Sequence, residues 1–273
     1  MTMNKSDSIL RAPWLYDVDP FEIVPGLYYV GNKSVSSHLF DTGDGLLLLD
    51  SGYPSAAYLL LESIRSLGFD PRNIKWILHT HAHIDHFGAT RYLKEKYGCI
   101  TYLPAADLPL LNERGDLNCC ADLGLPYSPP YDTWFPVDVT INPGDTMHFG
   151  NLTVTARSAA GHTPGTMAYF FDLPCGFRAA MHGGIGWNTL NSAYTKAHNL
   201  DGSWREAYLR SLADLKNIPV EITLGNHPNQ SRTFEKEAAK TDSVNPFIDI
   251  QEWNRTLTDL ETETREFFEK DPL

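Results

Sequence analysis

His79-Thr80-His81-Ala82-His83-Ile84-Asp85-His86 decides how this chain is read. The run Ile74 to Leu78 before it has the length and apolar character of a strand. Ala89 to Tyr97 after it has a helical pattern that stops at Gly98, so the histidines occupy a tight loop at a strand's end. Imidazole nitrogen suits zinc and carboxylate oxygen can complete a second ion's shell. A bend at a strand end turns alternate side chains toward two neighbouring positions. His81 and His83 then face one metal, and Asp85 and His86 the other. The H-x-H-x-D-H spacing is far more specific than a lone histidine pair.

Working outward, the same punctuation recurs. Upstream, the short β-rich runs Leu27 to Val30, Ser37 to Phe40 and Leu46 to Leu49 are separated by Gly31, Gly43 and Gly45. Ala57, Leu60, Leu61, Ile64 and Leu67 then follow helical spacing, with Gly68 at the C-terminal cap position. Cys99 to Leu103 reads as a strand, and Pro104 to Pro136 as helix pieces and loops. Alternation returns at Val137, Val139 and Ile141, then at Met147 and Phe149, at Leu152 and Val154, and at Met167, Tyr169 and Phe171. Trp204 to Leu215 reads as a helix and Val220 to Leu224 as a strand. Trp253, Leu257, Leu260 and Phe267 form one helical stripe, with Asp249 and Glu252 spaced as a capping box. The order of strands and helices is α/β, in two successive β-then-α halves with no linker between them. We expect an arm over residues 1–20 and a single domain over 21–273.

Two further loops carry histidine at strand ends. Gly161-His162-Thr163-Pro164-Gly165 follows one β run, and Gly225-Asn226-His227-Pro228 follows another. Three such loops would converge on one sheet edge, where open α/β architectures place their sites.

From about Gly26 onward the chain resembles the metallo-β-lactamase superfamily. The resemblance is carried, in order, by Leu49-Asp50-Ser51-Gly52, by the histidine string, by Gly161 to Gly165, and by Leu224-Gly225-Asn226-His227-Pro228. Gly183 to Asn188 and Asn245 to Asp249 make it most similar to the class B β-lactamase subclass with three-His and Asp-His-His zinc sites. The resemblance implies a four-layer αββα sandwich and two zinc ions. It assigns His81, His83 and His162 to the first ion and Asp85, His86 and His227 to the second. Many di-metal hydrolases of the superfamily carry a bridging Asp where this chain has Ala180-Met181-His182-Gly183-Gly184-Ile185. Its absence agrees with the β-lactamase-like subclass and counts against glyoxalase-II-type members and lactonases. His182 is read as a packing residue, with a substitute ligand as the alternative. Gly184 stands where the resembled subclass often has serine, which removes a polar contact for a substrate carboxylate.

The remaining histidines read differently. His38, His148 and His198 are isolated, His79 is structural, and Asp50 is expected to fix the histidine loop through an outer hydrogen bond. Tyr53, Trp134, Trp187 and Tyr194 fall in loops near the motifs and are candidate cleft walls or ordinary packing.

Composition narrows the class. A chain of 273 residues can bury a full core without disulfides, and a net charge of −12 argues against a nucleic-acid footprint. No run approaches a membrane span. The N-terminus shows no leader, so a cytoplasmic location is expected, or a periplasmic one if a leader has been removed. Cys99, Cys119, Cys120 and Cys175 show no paired spacing and read as thiols, with Cys119 and Cys120 the more reactive pair. The expected activity is hydrolysis of a small molecule, a cyclic amide (β-lactam), by a zinc-bound hydroxide, with Asp85 as the catalytic carboxylate. A lactonase or other ester hydrolase on the same di-metal site is the alternative. A di-iron redox protein is the alternative of a different class, disfavoured because such members tend to replace His83 with a carboxylate. The oligomeric state is left open.

Overall fold

The structure is a computed structural model that describes residues 9–120 and 134–273. The start of the expected arm and part of the loop-rich stretch before Pro136 lie outside the described residues.

The first sheet comprises β1 (Phe21–Val24), β2 (Leu27–Tyr29), β3 (His38–Asp41), β4 (Leu46–Leu49), β5 (Ile74–Leu78), β6 (Ile100–Pro104) and β7 (Val139–Ile141), side by side in that order. Its first four strands are antiparallel neighbours, while β4 through β7 run parallel. Parallel neighbours need crossovers, and the chain supplies them as α1 (Ala57–Ser66), then α2 (Ile84–Phe87) with α3 (Thr90–Tyr97). Gly98, at φ +74°, ends α3 in the left-handed conformation that a residue with a Cβ resists. After β6 come α4 (Leu108–Asn112) and flanking single turns.

The second sheet is built from β8 (Thr146–Phe149), β9 (Leu152–Ser158), β10 (Met167–Asp172), β11 (Arg178–His182) and β12 (Ile222–Gly225), ordered β12-β11-β10-β9-β8. Only its β11–β12 pair is parallel. The helices α5 (Ser192–Ala197), α6 (Ser203–Leu215), α7 (Thr233–Ala239) and α8 (Glu252–Lys270) complete this half.

Three cores give the layers. Leu47, Leu49 and Phe40 meet Val154, Tyr169 and Phe171 between the two sheets. Leu46, Leu48 and Ile77, on the other face of the first sheet, pack against Leu60, Ile64 and Leu93 of its helices. Phe170 and Ala180 similarly meet Tyr208 and Leu212 of α6 and Trp253 and Leu257 of α8. A strand covered on both faces cannot alternate apolar with polar, which is why β4 reads Leu-Leu-Leu-Leu and is buried throughout. The result is the expected four-layer αββα sandwich.

Some details depart from expectation. Phe21–Val24 and Arg178–His182 are strands that the β-pattern reading leaves unassigned. The capping box at α8 does not form. Glu252 instead pairs with Lys236 at 2.6 Å, and the Asp249 carboxylate accepts the Gln251 N–H. Ile9, ahead of the first strand and within the expected arm, is no departure: it is buried against the domain with Val35, Tyr53 and Leu59. No helix among the described residues is long and apolar enough to cross a membrane.

Candidate metal centre

Strands of both sheets end at one edge, and their C-terminal ends deliver the site. Asp50 follows β4, the histidine loop follows β5, and His227 follows β12. His162 sits in the turn between β9 and β10. The six sequence-predicted residues come together as two trios, His81 with His83 and His162, and Asp85 with His86 and His227. Within each trio the candidate ligand atoms lie within 4.8 Å of one another. The trios adjoin, with the rings of His81 and His86 4.4 Å apart.

Outer hydrogen bonds fix which ring nitrogen faces inward. The Thr80 hydroxyl gives its proton to Asp50 at 2.8 Å, so it accepts from His81 Nδ1 at 3.0 Å. His86 Nδ1 donates to Asp50 at 2.8 Å, His162 Nδ1 to the Gly186 carbonyl at 2.9 Å, and His227 Nδ1 to the Ser34 carbonyl at 2.7 Å. Each bond leaves a bare Nε2 directed into the site. His81 Nε2 faces His83 Nδ1 at 3.0 Å, and His83 Nε2 is buried without a hydrogen-bond partner. In the second trio Asp85 Oδ2 lies 3.5 Å from both His86 Nε2 and His227 Nε2. Inward lone pairs crowded together, with the outward protons of His81, His86, His162 and His227 held in place, are the donor set a cation satisfies.

The electrostatics agree. Burial, reinforced by the neighbouring imidazoles, pushes His81 and His83 well below the ordinary histidine value, and burial takes His162 down to about 4. Burial opposes ionisation of Asp85, but the pull of His86, His227 and His83 outweighs it and lowers this carboxyl. Burial likewise works against protonating His86, yet Asp85 and Asp50 overcome it and raise this imidazole. Four imidazoles and the carboxylate are thus held in the forms that bind metal, and His86 is the one ligand from which an ion must displace a proton.

His79 is spent elsewhere, its Nδ1 on the Tyr102 carbonyl and its Nε2 on the Thr90 hydroxyl. His182 belongs to neither trio. It is buried beside Tyr208, and its Nδ1 accepts the Gly184 N–H at 3.3 Å. A Cβ at Gly184 would lie 2.5 Å from Cδ2 of His162, so glycine here makes room for a ring of the first trio. Sequence reasoning missed Asp107, just after β6. It is wholly buried and bonded to two of the three histidine loops, those of His81 and of His162, and burial raises its carboxyl to about 6 against the donors that favour the charge.

A cleft of about 300 Å³ opens over both trios, walled by Tyr53, Cys119, Asn188, Asn226 and Gln230. Of the four aromatic candidates only Tyr53 lines it. Trp187 stacks on Phe267, and Trp134 and Tyr194 pack in the cluster around Phe87 and Leu111. Cys119 faces the cleft while Cys120 is buried, so the pair is not equally open to chemistry.

An αββα sandwich with two histidine-rich trios beneath a small-molecule cleft defines a metallohydrolase. The chain belongs to the metallo-beta-lactamase superfamily, whose family model matches residues 30–173, and it is a hydrolase of that superfamily. Among solved structures it is similar to BJP-1, a subclass B3 metallo-beta-lactamase of Bradyrhizobium japonicum, with a TM-score of 0.81 at 26% identity over 95% of this chain and 97% of that one. A probable metallo-hydrolase of Burkholderia pseudomallei is 27% identical over 54% of this chain, and the match spans half the length of that protein. A hydroxyacylglutathione hydrolase of a Bradyrhizobium species is 31% identical over 35% of this chain and 29% of its own length.

Proposed function

We propose that the chain is a di-zinc hydrolase that opens a cyclic amide, a β-lactam, with His81, His83 and His162 holding one ion and Asp85, His86 and His227 the other. The observation that carries this reading is the pairing of the two trios, each with its lone pairs turned inward, directly under the cleft. When bound, the ions supply a water of near-neutral pKa and positive charge for a developing oxyanion. No serine or cysteine need then act as nucleophile. Asp85, between His86 and His227, has a carboxylate edge available to accept a proton from the attacking water and orient it. Asn188 and Gln230 offer neutral donors and acceptors to the substrate, and Tyr53 supplies an aromatic wall. The likeness to BJP-1 over nearly the whole chain supports a β-lactam ahead of other cyclic amides.

One observation favours a second reading, a neutral lactone or other ester. No Lys or Arg is among the described cleft residues, and the space at Gly184 excludes a side chain that would meet a substrate carboxylate. Initial rates on a chromogenic cephalosporin and on a lactone panel, with zinc and iron measured on the same sample, separate the readings. Faster cephalosporin turnover with about two zinc ions per chain is expected. Faster lactone turnover selects the ester, and iron with oxygen-dependent turnover overturns both.

A further inference from the structure

Among the described residues, Asp107 is the one fully buried carboxylate that touches both loops supplying the first trio while belonging to neither trio. Its Oδ2 accepts the Ala82 N–H at 2.9 Å and the Thr163 hydroxyl at 2.7 Å, and its Oδ1 accepts the Gly165 N–H at 2.6 Å. Ala82 lies between His81 and His83, and Thr163 follows His162. One carboxylate therefore ties together two loops separated by about eighty residues of chain. The glycine at 165 is a second sign of the same contact. A Cβ there would sit 2.7 Å from the Asp107 carboxylate, so the loop has given up a side chain to let the tie close. The second trio has no bond to Asp107. Its outer anchors are Asp50 on His86 and the Ser34 carbonyl on His227.

We propose that Asp107 is a positioning residue that sets the affinity of the first metal site and not that of the second. The proposal rests on the reading of the trios as metal sites. Buried hydrogen bonds of this kind hold ligands in a geometry that an ion would otherwise have to impose, at the cost of ordering two loops on binding. An asparagine keeps the shape but turns an NH₂ toward one of the three donors, so at least one bond is lost.

The test uses single-site backgrounds. In His227→Ala, which leaves the first trio intact, Asp107→Asn is expected to weaken zinc binding by about 10- to 100-fold, measured by competition with a chromogenic chelator. In His81→Ala, which leaves the second trio intact, the same change is expected to leave zinc affinity within about twofold, well under that range. Thr163→Val removes one donor only, and a smaller loss in the first background is expected; it also serves if Asp107→Asn does not fold. Equal affinities with and without Asp107→Asn in the His227→Ala background overturn the proposal, as does an equal loss in both backgrounds. Amide exchange in the metal-free protein keeps the two ideas apart. Faster exchange at Ala82 and Gly165 in Asp107→Asn supports the tie even if no chain takes up zinc, whereas unchanged exchange sinks it.

Discussion

The two trios sit side by side and are built on opposite principles. The first is all imidazole and deeply buried, with His81 at 0%, His83 at 2% and His162 at 6% exposure. The second contains a carboxylate and opens to solvent, the side chains of Asp85 and His227 being 17% and 29% exposed. Protein dipoles and a buried crosslink surround the first. The second has Asp50 behind His86, and its third member, His227, arrives from the end of β12 in the other sheet. A neutral, deeply buried cage that meets the cleft only at His83 and His162 favours a tightly held ion. A charged, half-open one favours an ion that exchanges ligands with substrate.

The largest expected effect comes from removing a member of either trio. His81→Ala and Asp85→Asn should each lower turnover by at least about 10³-fold, since both charge stabilisation and water activation are lost. Circular dichroism and the melting transition of the metal-free protein check that the fold survives. Retained turnover in one variant would break the comparison, because that trio would be dispensable. Next in size is Gly184→Ala. Its Cβ lies inside the contact distance of the His162 ring, and displacing one ligand by several tenths of an ångström should cost about 10²-fold in kcat. The three atoms nearest the added Cβ all belong to His162, so zinc titration should find the loss in the first site.

Asp50→Asn probes the other side. Asp50 Oδ2 receives His86 directly, but reaches His81 only through the Thr80 hydroxyl. Affinity for the second ion should therefore fall about 10- to 100-fold, and that for the first by less. Equal losses would mean that Asp50 serves both sites as one unit.

These anchors also show what a sequence can and cannot disclose. Four of the six trio residues lie within His81 to His86, and the other two follow strands whose alternation is plain, so the trios are legible as a pattern. The helix stop at Gly98 and the doubly covered strand Leu46–Leu49 are equally local and equally readable. Asp107 is different. It sits in an unremarked Ala-Ala-Asp, and its partners lie 25, 56 and 58 residues away, so only the folded chain reveals them. Arg178–His182 is alanine-rich and becomes a strand because β10 and β12 pair with it on both sides. The capping box at Glu252 had the right spacing, but burial beside Lys236 offered its carboxylate a stronger partner.

The finest distinction between the trios is how each competes with protons. In the metal-free protein the charges of Asp85 and Asp50 hold His86 above the ordinary histidine value, while burial holds His81, His83 and His162 below it. His227 is also lowered, so His86 is the only imidazole of the six residues on which protons are favoured. As pH falls through the His86 value, an ion entering the second trio must displace a proton, and apparent affinity drops by about tenfold per pH unit. The first trio stays unprotonated across the same range and keeps its affinity. Zinc titrations between about pH 7.5 and 5.5, a range that brackets the ordinary histidine value, should therefore show the second site weakening first and the chain passing from two ions to one. Parallel weakening of both sites would mean that the neighbouring carboxylates do not set His86 apart, and the electrostatic half of the contrast would fail while its geometric half stood.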